Sequence, residues 1–268
     1  MHRGSIKLFC LVTLAGLLAA TACGKDDSQT QELQAAKSAA LAELEQAKAS
    51  LDAKRGELRQ LQEKIANPEP QQEGGEATEA VDIEALKAQA QTLKGEIEDD
   101  ADDLTGRVVA FINQDPPIAG EPLSPELARA VDMKVDEDIH LAREYIEVGG
   151  DYKKAITILE QMQPLAPDNE RLLAELEKAK SDRWMTEERF AVVKEGFTED
   201  QVREALGQAN LRNIKVYPDR GVTAWFYLKG EDNSAAGVYF KERKGKQTVY
   251  KADFNAVKAA EDRAGDDS

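Results

Sequence analysis

The chain has 268 residues, with 35 Lys and Arg against 51 Asp and Glu and a formal charge of −16. An acidic chain of this kind works against nucleic-acid binding, which rests on Lys and Arg neutralising phosphates, and it gains nothing from anionic lipid headgroups. The charge favours solubility, and partners with basic surfaces if it acts in recognition at all.

Arg3 and Lys7 precede an apolar run from Leu8 to Leu18, and small residues follow up to Ala22. This order reads as a secretory signal over residues 1–22, with a core too short for a membrane span. The stretch Leu17-Leu18-Ala19-Ala20-Thr21-Ala22-Cys23 resembles the lipobox of bacterial lipoproteins. The resemblance implies cleavage after Ala22 and acylation of the Cys23 thiol. In enteric lipoproteins an Asp after the cysteine favours the inner membrane. Gly24 stands here, which implies attachment to the outer membrane, facing the periplasm. Residues 23–30 are small and polar and are expected to form an extended tether. The mature chain then holds 33 basic and 51 acidic residues, a formal −18. Cys10 leaves with the signal and Cys23 carries lipid, so no thiol remains for disulfides, thiol catalysis or thiolate metal sites.

Residues 31–113 are expected to form a coiled-coil helical hairpin. Leu44, Ala47, Leu51, Lys54, Leu58, Leu61 and Ile65 recur at spacings of three and four, a seam with one polar lapse at Lys54. Asn67 and Pro68 stop it, and residues 67–80, with their Pro residues and the Gly74-Gly75 pair, read as a disordered loop. Ile83, Leu86, Ala90, Leu93 and Ile97 start a second seam, which Leu104, Val108 and Phe111 resume after the acidic run from Glu96 to Asp103. Small seam residues favour a folded-back hairpin; the rival is a self-associating parallel coiled coil.

Residues 124–183 are read as three helices. Ser124-Pro125 is a capped helix start, and Leu127, Val131, Val135, Ile139, Ala142 and Ile146 form one stripe that ends at Gly149-Gly150. The residues Gly150-Asp151-Tyr152, Ala155-Ile156 and Pro167-Asp168-Asn169 resemble a tetratricopeptide repeat. This implies paired helices brought close at Ala155. One repeat is legible, and Trp184 stands where a next turn Gly belongs.

Residues 186–256 are expected to form a small α+β domain, followed by an acidic tail over 257–268. Thr198 and Gln201 make a capping box, and Gly207 suits the helix exit. Strands are expected at Val222–Leu228, Ala235–Lys241 and Thr248–Phe254, with a short edge strand at Ile214–Tyr217. The string Val193-x-x-Gly196-Phe197-Thr198-x-x-Gln201-Val202-x-x-x-Leu206-Gly207 and the later Trp225-Phe226-Tyr227 resemble the SmpA/OmlA family of outer-membrane lipoproteins, typified by BamE. The resemblance covers about a quarter of the chain. It implies a helix pair on an antiparallel sheet and a non-catalytic part in outer-membrane protein assembly or envelope integrity. On strand parity, Val222, Ala224, Phe226 and Leu228 are expected under the helices. Trp225, Tyr227 and Tyr239 are then an outward protein-binding face, unless these rings pack against the upstream helices.

His140 is the one histidine past the signal and has no partner set for a metal or a triad. The run from Glu96 to Asp103 lacks the spacing of a calcium loop, and no phosphate-binding or nucleophile-elbow motif is present. The reading is mainly α with a C-terminal α+β domain, non-enzymatic, without cofactor or small-molecule substrate. It is a lipid-anchored periplasmic adaptor for envelope proteins. The alternatives are a self-assembling coiled-coil spacer and a regulator of a cell-wall synthase.

Overall fold

A computed structural model describes residues 25–67, 82–118 and 121–259. The signal, with Ala22 and Cys23, lies outside these residues, as do nearly all of the expected loop and residues 260–268 of the tail. Helix α1 spans Lys25–Ala66 and α2 spans Ile83–Gln114. Residues 25–30, expected as part of an extended tether, are helical instead; nothing in Lys25-Asp26-Asp27-Ser28-Gln29-Thr30 breaks a helix that the Ala- and Gln-rich sequence beyond it propagates.

The two helices pair antiparallel. Lys37 meets Asp115 at 2.9 Å at one end, and Lys54 meets Glu96 at 2.9 Å and Asp100 at 3.0 Å further along. The polar lapse in the first seam therefore faces the acidic interruption in the second. The pairs are exposed and add little stability, but they match the alignment that the buried seam residues set. Leu44 and Leu51 of α1 and Leu104, Val108 and Phe111 of α2 are buried. The seam is thus used inside the chain, which favours the hairpin over the parallel coiled coil.

Helix α3 (Pro125–Gly149) runs alongside the hairpin, with Gln34, Glu45 and Arg55 of α1 meeting Glu126, Arg129 and Glu137 in turn, and is followed by α4 (Tyr152–Met162) and α5 (Glu170–Asp182). Ser124 accepts from Leu127 N–H, and Pro125 opens the helix, as read from the sequence. Gly150 ends it in the left-handed region at φ 61°, its N–H returning to Ile146 and Tyr145. Asp151 and Asn169 cap α4 and α5. Ala155 is fully buried, where its single methyl allows the close approach the repeat pattern implies. One contiguous core joins Leu41 and Leu51 of α1, Val108 of α2, Val135 and Ile139 of α3, Leu159 of α4 and Leu172 of α5. Truncating any of the fully buried leucines in it to Ala costs about 2–5 kcal/mol.

The C-terminal unit packs helices α6 (Glu187–Phe190) and α7 (Glu199–Leu206) on a four-stranded antiparallel sheet, β1 (Ile214–Tyr217), β2 (Val222–Leu228), β3 (Ala235–Arg243) and β4 (Lys246–Val257), in sequential order. The capping box forms: Thr198 N–H donates to Gln201 Oε1 at 2.9 Å, and Gln201 N–H donates to Thr198 Oγ1 at 3.3 Å. Just before it, Gly196 N–H and Val249 N–H bond to Val249 and Phe197 carbonyls, both at 2.8 Å, so the entry to α7 is stitched to the edge strand β4. Such a stitch covers part of an otherwise open edge.

Candidate functional site

The described residues offer three surfaces where chemistry gathers. The first is the sheet. Trp225 and Tyr227, expected outward, are buried at 3 % and 7 % exposure beneath α6 and α7. Trp225 stacks tilted on Phe240 at 4.8 Å and lies under the Arg203 guanidinium at 5.3 Å; the Tyr227 hydroxyl donates to Gly207 O at 3.1 Å. Burial drives the Tyr227 phenol above its ordinary range. The outward face is the other parity, with Phe226, Tyr239 and Tyr250 joined edge to face at 6.0 and 6.4 Å. Of the three residues expected outward, only Tyr239 is there, and it is half buried.

The signal that decides the faces sits on β3, not β2. Counting apolar residues on β2 favours Val222, Ala224, Phe226 and Leu228 for the core. On β3, however, Tyr239, Lys241 and Arg243 share a parity that belongs in water, while Ala236, Val238 and Phe240 share the apolar one. The antiparallel register sets Trp225 against Val238 and Tyr227 against Ala236. Opposite residues share a face, so the charges on β3 fix the orientation of β2. Lys241 lies 4.7 Å over the Tyr250 ring and Lys251 5.5 Å over Tyr239.

The second surface is a buried charge cluster that composition hides. Glu137 and Asp138 on α3 are 4 % and 6 % exposed, because the hairpin covers one side of α3 while α4 covers another. Arg55 of α1 forks onto Glu137 with bonds of 2.9 and 2.7 Å, and Lys48 stands 3.7 Å from the same carboxylate. Lys134 bridges Asp138 one turn away on α3. Burial pushes the Asp138 carboxyl above the usual range against the pull of Lys134.

The third surface is a groove of about 800 Å³ between the hairpin and the C-terminal half of α3. Leu58 of α1, Ile97 and Ala101 of α2, and Leu141, Tyr145 and Val148 of α3 give it apolar walls. Leu141, Tyr145 and Val148 repeat at helical spacing and are 44, 36 and 56 % exposed. The rim carries Glu98, Asp102, Glu144 and Glu147 as exposed acids. Among its cations, Arg55 is held by Glu137 and Lys94 stands 3.8 Å from both Glu98 and Glu144, which leaves Arg59. Along α3 the groove runs from Glu137 to Gly149, or about 18 Å.

His140 lies in the groove wall beside the cluster. Burial lowers its pKa from the ordinary 6.5; the nearby positive charges of Arg55 and Lys48 add to this, and Glu137 and Asp52 oppose it. The fold thus prefers the neutral ring. The resulting stability is full above the unfolded value near 6.5 and is lost as pH falls through the lowered folded value. Asp138 works the other way: its contribution is full below about 3.8 and is lost as pH rises through its raised value. Urea denaturation between pH 7 and 5 should therefore show a steeper loss of stability in wild type than in His140→Gln, since Asp138 is common to both. Parallel curves would mean that His140 is not held neutral.

Among the described residues no cluster of three or more His, Cys, Asp or Glu could hold a metal ion, and no helix is long and apolar enough to cross a membrane. No protein-family model matches the chain, and neither a curated protein nor a solved structure is significantly similar to it.

Proposed function

We propose that the protein is a non-catalytic, lipid-anchored periplasmic adaptor that binds envelope proteins through the groove between its helical hairpin and α3. The observation that carries this reading is the chemistry of that groove: apolar walls from three helices, left open, beneath a rim with an excess of acid. A stripe such as Leu141, Tyr145 and Val148 facing Leu58 and Ile97 is what a further helix packs against. The occupant is an amphipathic helix of about three turns with basic flanks, since 18 Å of groove takes about 12 residues and the rim acids call for Lys and Arg. The lipobox-like stretch ending at Cys23 supports a membrane anchor. The likeness of residues 193–227 to the SmpA/OmlA family supports the outer membrane, and with it a role in outer-membrane protein assembly or envelope integrity.

Leu141→Asp with Val148→Asp should test the groove. Both side chains are exposed, so the fold should persist, with urea midpoints close to wild type. Against a synthetic helix carrying Leu at i, i+4 and i+7 and Lys on its flanks, the double variant should lose at least about tenfold in affinity, which corresponds to about 1.4 kcal/mol. Equal binding by both proteins, or equal binding of a helix with Glu flanks, would contradict the assignment.

A further inference from the structure

The net charge conceals a split. Residues 23–208 hold 22 Lys and Arg against 42 Asp and Glu, whereas residues 209–259 hold ten against five. Where helices α3 to α5 meet the C-terminal unit, a cleft of about 210 Å³ opens between the start of α4, the segment after α5 and the end of β2. Its lining includes Lys153, Arg183, Arg189 and Arg212. Most cations of the helical part are ion-paired, whereas none of these four has a carboxylate within salt-bridge distance among the described residues. Arg189 is engaged by backbone, donating to the carbonyls of Asp182, Trp184 and Leu206 at 3.0, 3.3 and 3.5 Å. The Arg183 guanidinium carbon sits over the Trp184 indole, 4.1 Å from the ring centroid. Lys153, Arg183 and Arg212 have no carboxylate partner among the described residues.

Two acids line the same cleft, and both are occupied. Asp151 caps α4 through Lys154 N–H at 3.1 Å, and Asp182 is bridged by Lys178. The cleft thus gathers more positive than negative charge. Its walls add the aromatic side chains of Tyr152 and Trp184. A guanidinium held on an indole is already oriented for a planar anion, and Arg favours carboxylate for that reason. A junction between two packed units is also where ligand clefts commonly lie.

We propose that this cleft binds a carboxylate carried on an apolar or aromatic residue, with Arg183, Arg212 and Lys153 receiving the carboxylate and Trp184 and Tyr152 flanking the apolar group. The site is independent of the groove on α3. A cleft of this volume accepts a terminal residue rather than a folded domain. The carboxylate can come from a peptide terminus or from a free organic acid.

Calorimetric titration of the full chain with acetyl-Ala-Ala-Phe as its free acid, with the same peptide amidated, with 3-phenylpropionate and with inorganic phosphate tests the proposal. The free acid should bind, the amide should bind at least tenfold more weakly, and phosphate should not compete. Lys153→Gln with Arg212→Gln should weaken the free acid at least tenfold while leaving the thermal melting curve and groove binding unchanged. Binding of 3-phenylpropionate as tight as that of the peptide supports the site and assigns a free acid as sufficient; binding of the peptide alone supports it and assigns a chain terminus. An amide that binds as well as the acid, indifference to the double variant, or preference for phosphate would overturn it, as would no binding of either acid.

Discussion

Gly150→Ala should cost about 3 kcal/mol or more and loosen the junction between the helical part and the sheet. Two effects add. At φ 61° a residue with a Cβ pays the left-handed penalty, on the order of 1–2 kcal/mol. A Cβ at this position would also stand 2.4 Å from Gln208 O and 2.6 Å from Ala209 C and Asn210 N. These are backbone atoms, so no side-chain rotation relieves the contact; the segment after α7 has to move. Asn210 Nδ2–H, which donates to Gly150 O at 3.3 Å, moves with it. Gly221 provides the control. Its φ is 58°, yet nothing lies within 4 Å of where its Cβ would stand, so Gly221→Ala should cost only the backbone term. Thermal and urea unfolding of the two variants should differ by about 1–2 kcal/mol or more, and Gly150→Ala alone should alter Trp184 fluorescence. Equal losses would mean that the two parts do not close on Gly150.

Glu137→Ala should also be damaging, at about 2–3 kcal/mol, because it removes the buried carboxylate that takes both bonds of the half-buried Arg55 guanidinium and leaves that group only Asp52, at 3.4 Å, while Lys48 keeps Asp52 and Asp136. Burial works against the Arg55 charge, and Glu137 more than restores it, so the guanidinium is held firmly protonated. The paired change Arg55→Met with Glu137→Leu should recover most of the loss, since a packed apolar pair of similar volume avoids both desolvation penalties. A double-mutant cycle in urea separates the terms. If Glu137→Ala alone is near neutral, the cluster is wetter than its burial indicates; if the apolar pair is as damaging as the single change, the cluster specifies how α3 seats on the hairpin.

Much of this fold is legible in local sequence signals. Ser124-Pro125, Gly150, Asn169 and the Thr198–Gln201 box mark helix ends through hydrogen bonds between near neighbours, and they appear where those residues stand. The four strands follow from β-rich runs between turns. What local reading loses is anything set by a partner distant in sequence. Lys54 looks like a defect in one seam and the run from Glu96 to Asp103 like a gap in another, until antiparallel pairing brings them together. Glu137 and Asp138 read as a polar flank of α3, because nothing in residues 125–149 shows that the hairpin lies on that side. The inverted sheet faces have the same origin: β2 is apolar on both parities, and only its register against the charged end of β3 distinguishes them. The cleft is hidden because Lys153, Arg183, Arg189 and Arg212 come from the start of α4, the segment after α5 and the residues before β1, which meet only in the fold.

Whether the groove on α3 receives a basic amphipathic helix from an envelope protein decides the functional reading. The most direct measurement places a photo-crosslinking residue at Leu141 in cells, with a second at exposed Leu173 on α5, outside the groove lining, as control. One discrete adduct is expected from Leu141 and none from Leu173. The adduct should map to a helix with an apolar stripe and Lys or Arg flanks, and it should disappear when Glu144 and Glu147 are reversed to Lys. Adducts of equal yield from both positions, or a Leu141 adduct that maps to an acidic or unstructured segment, would contradict the adaptor role.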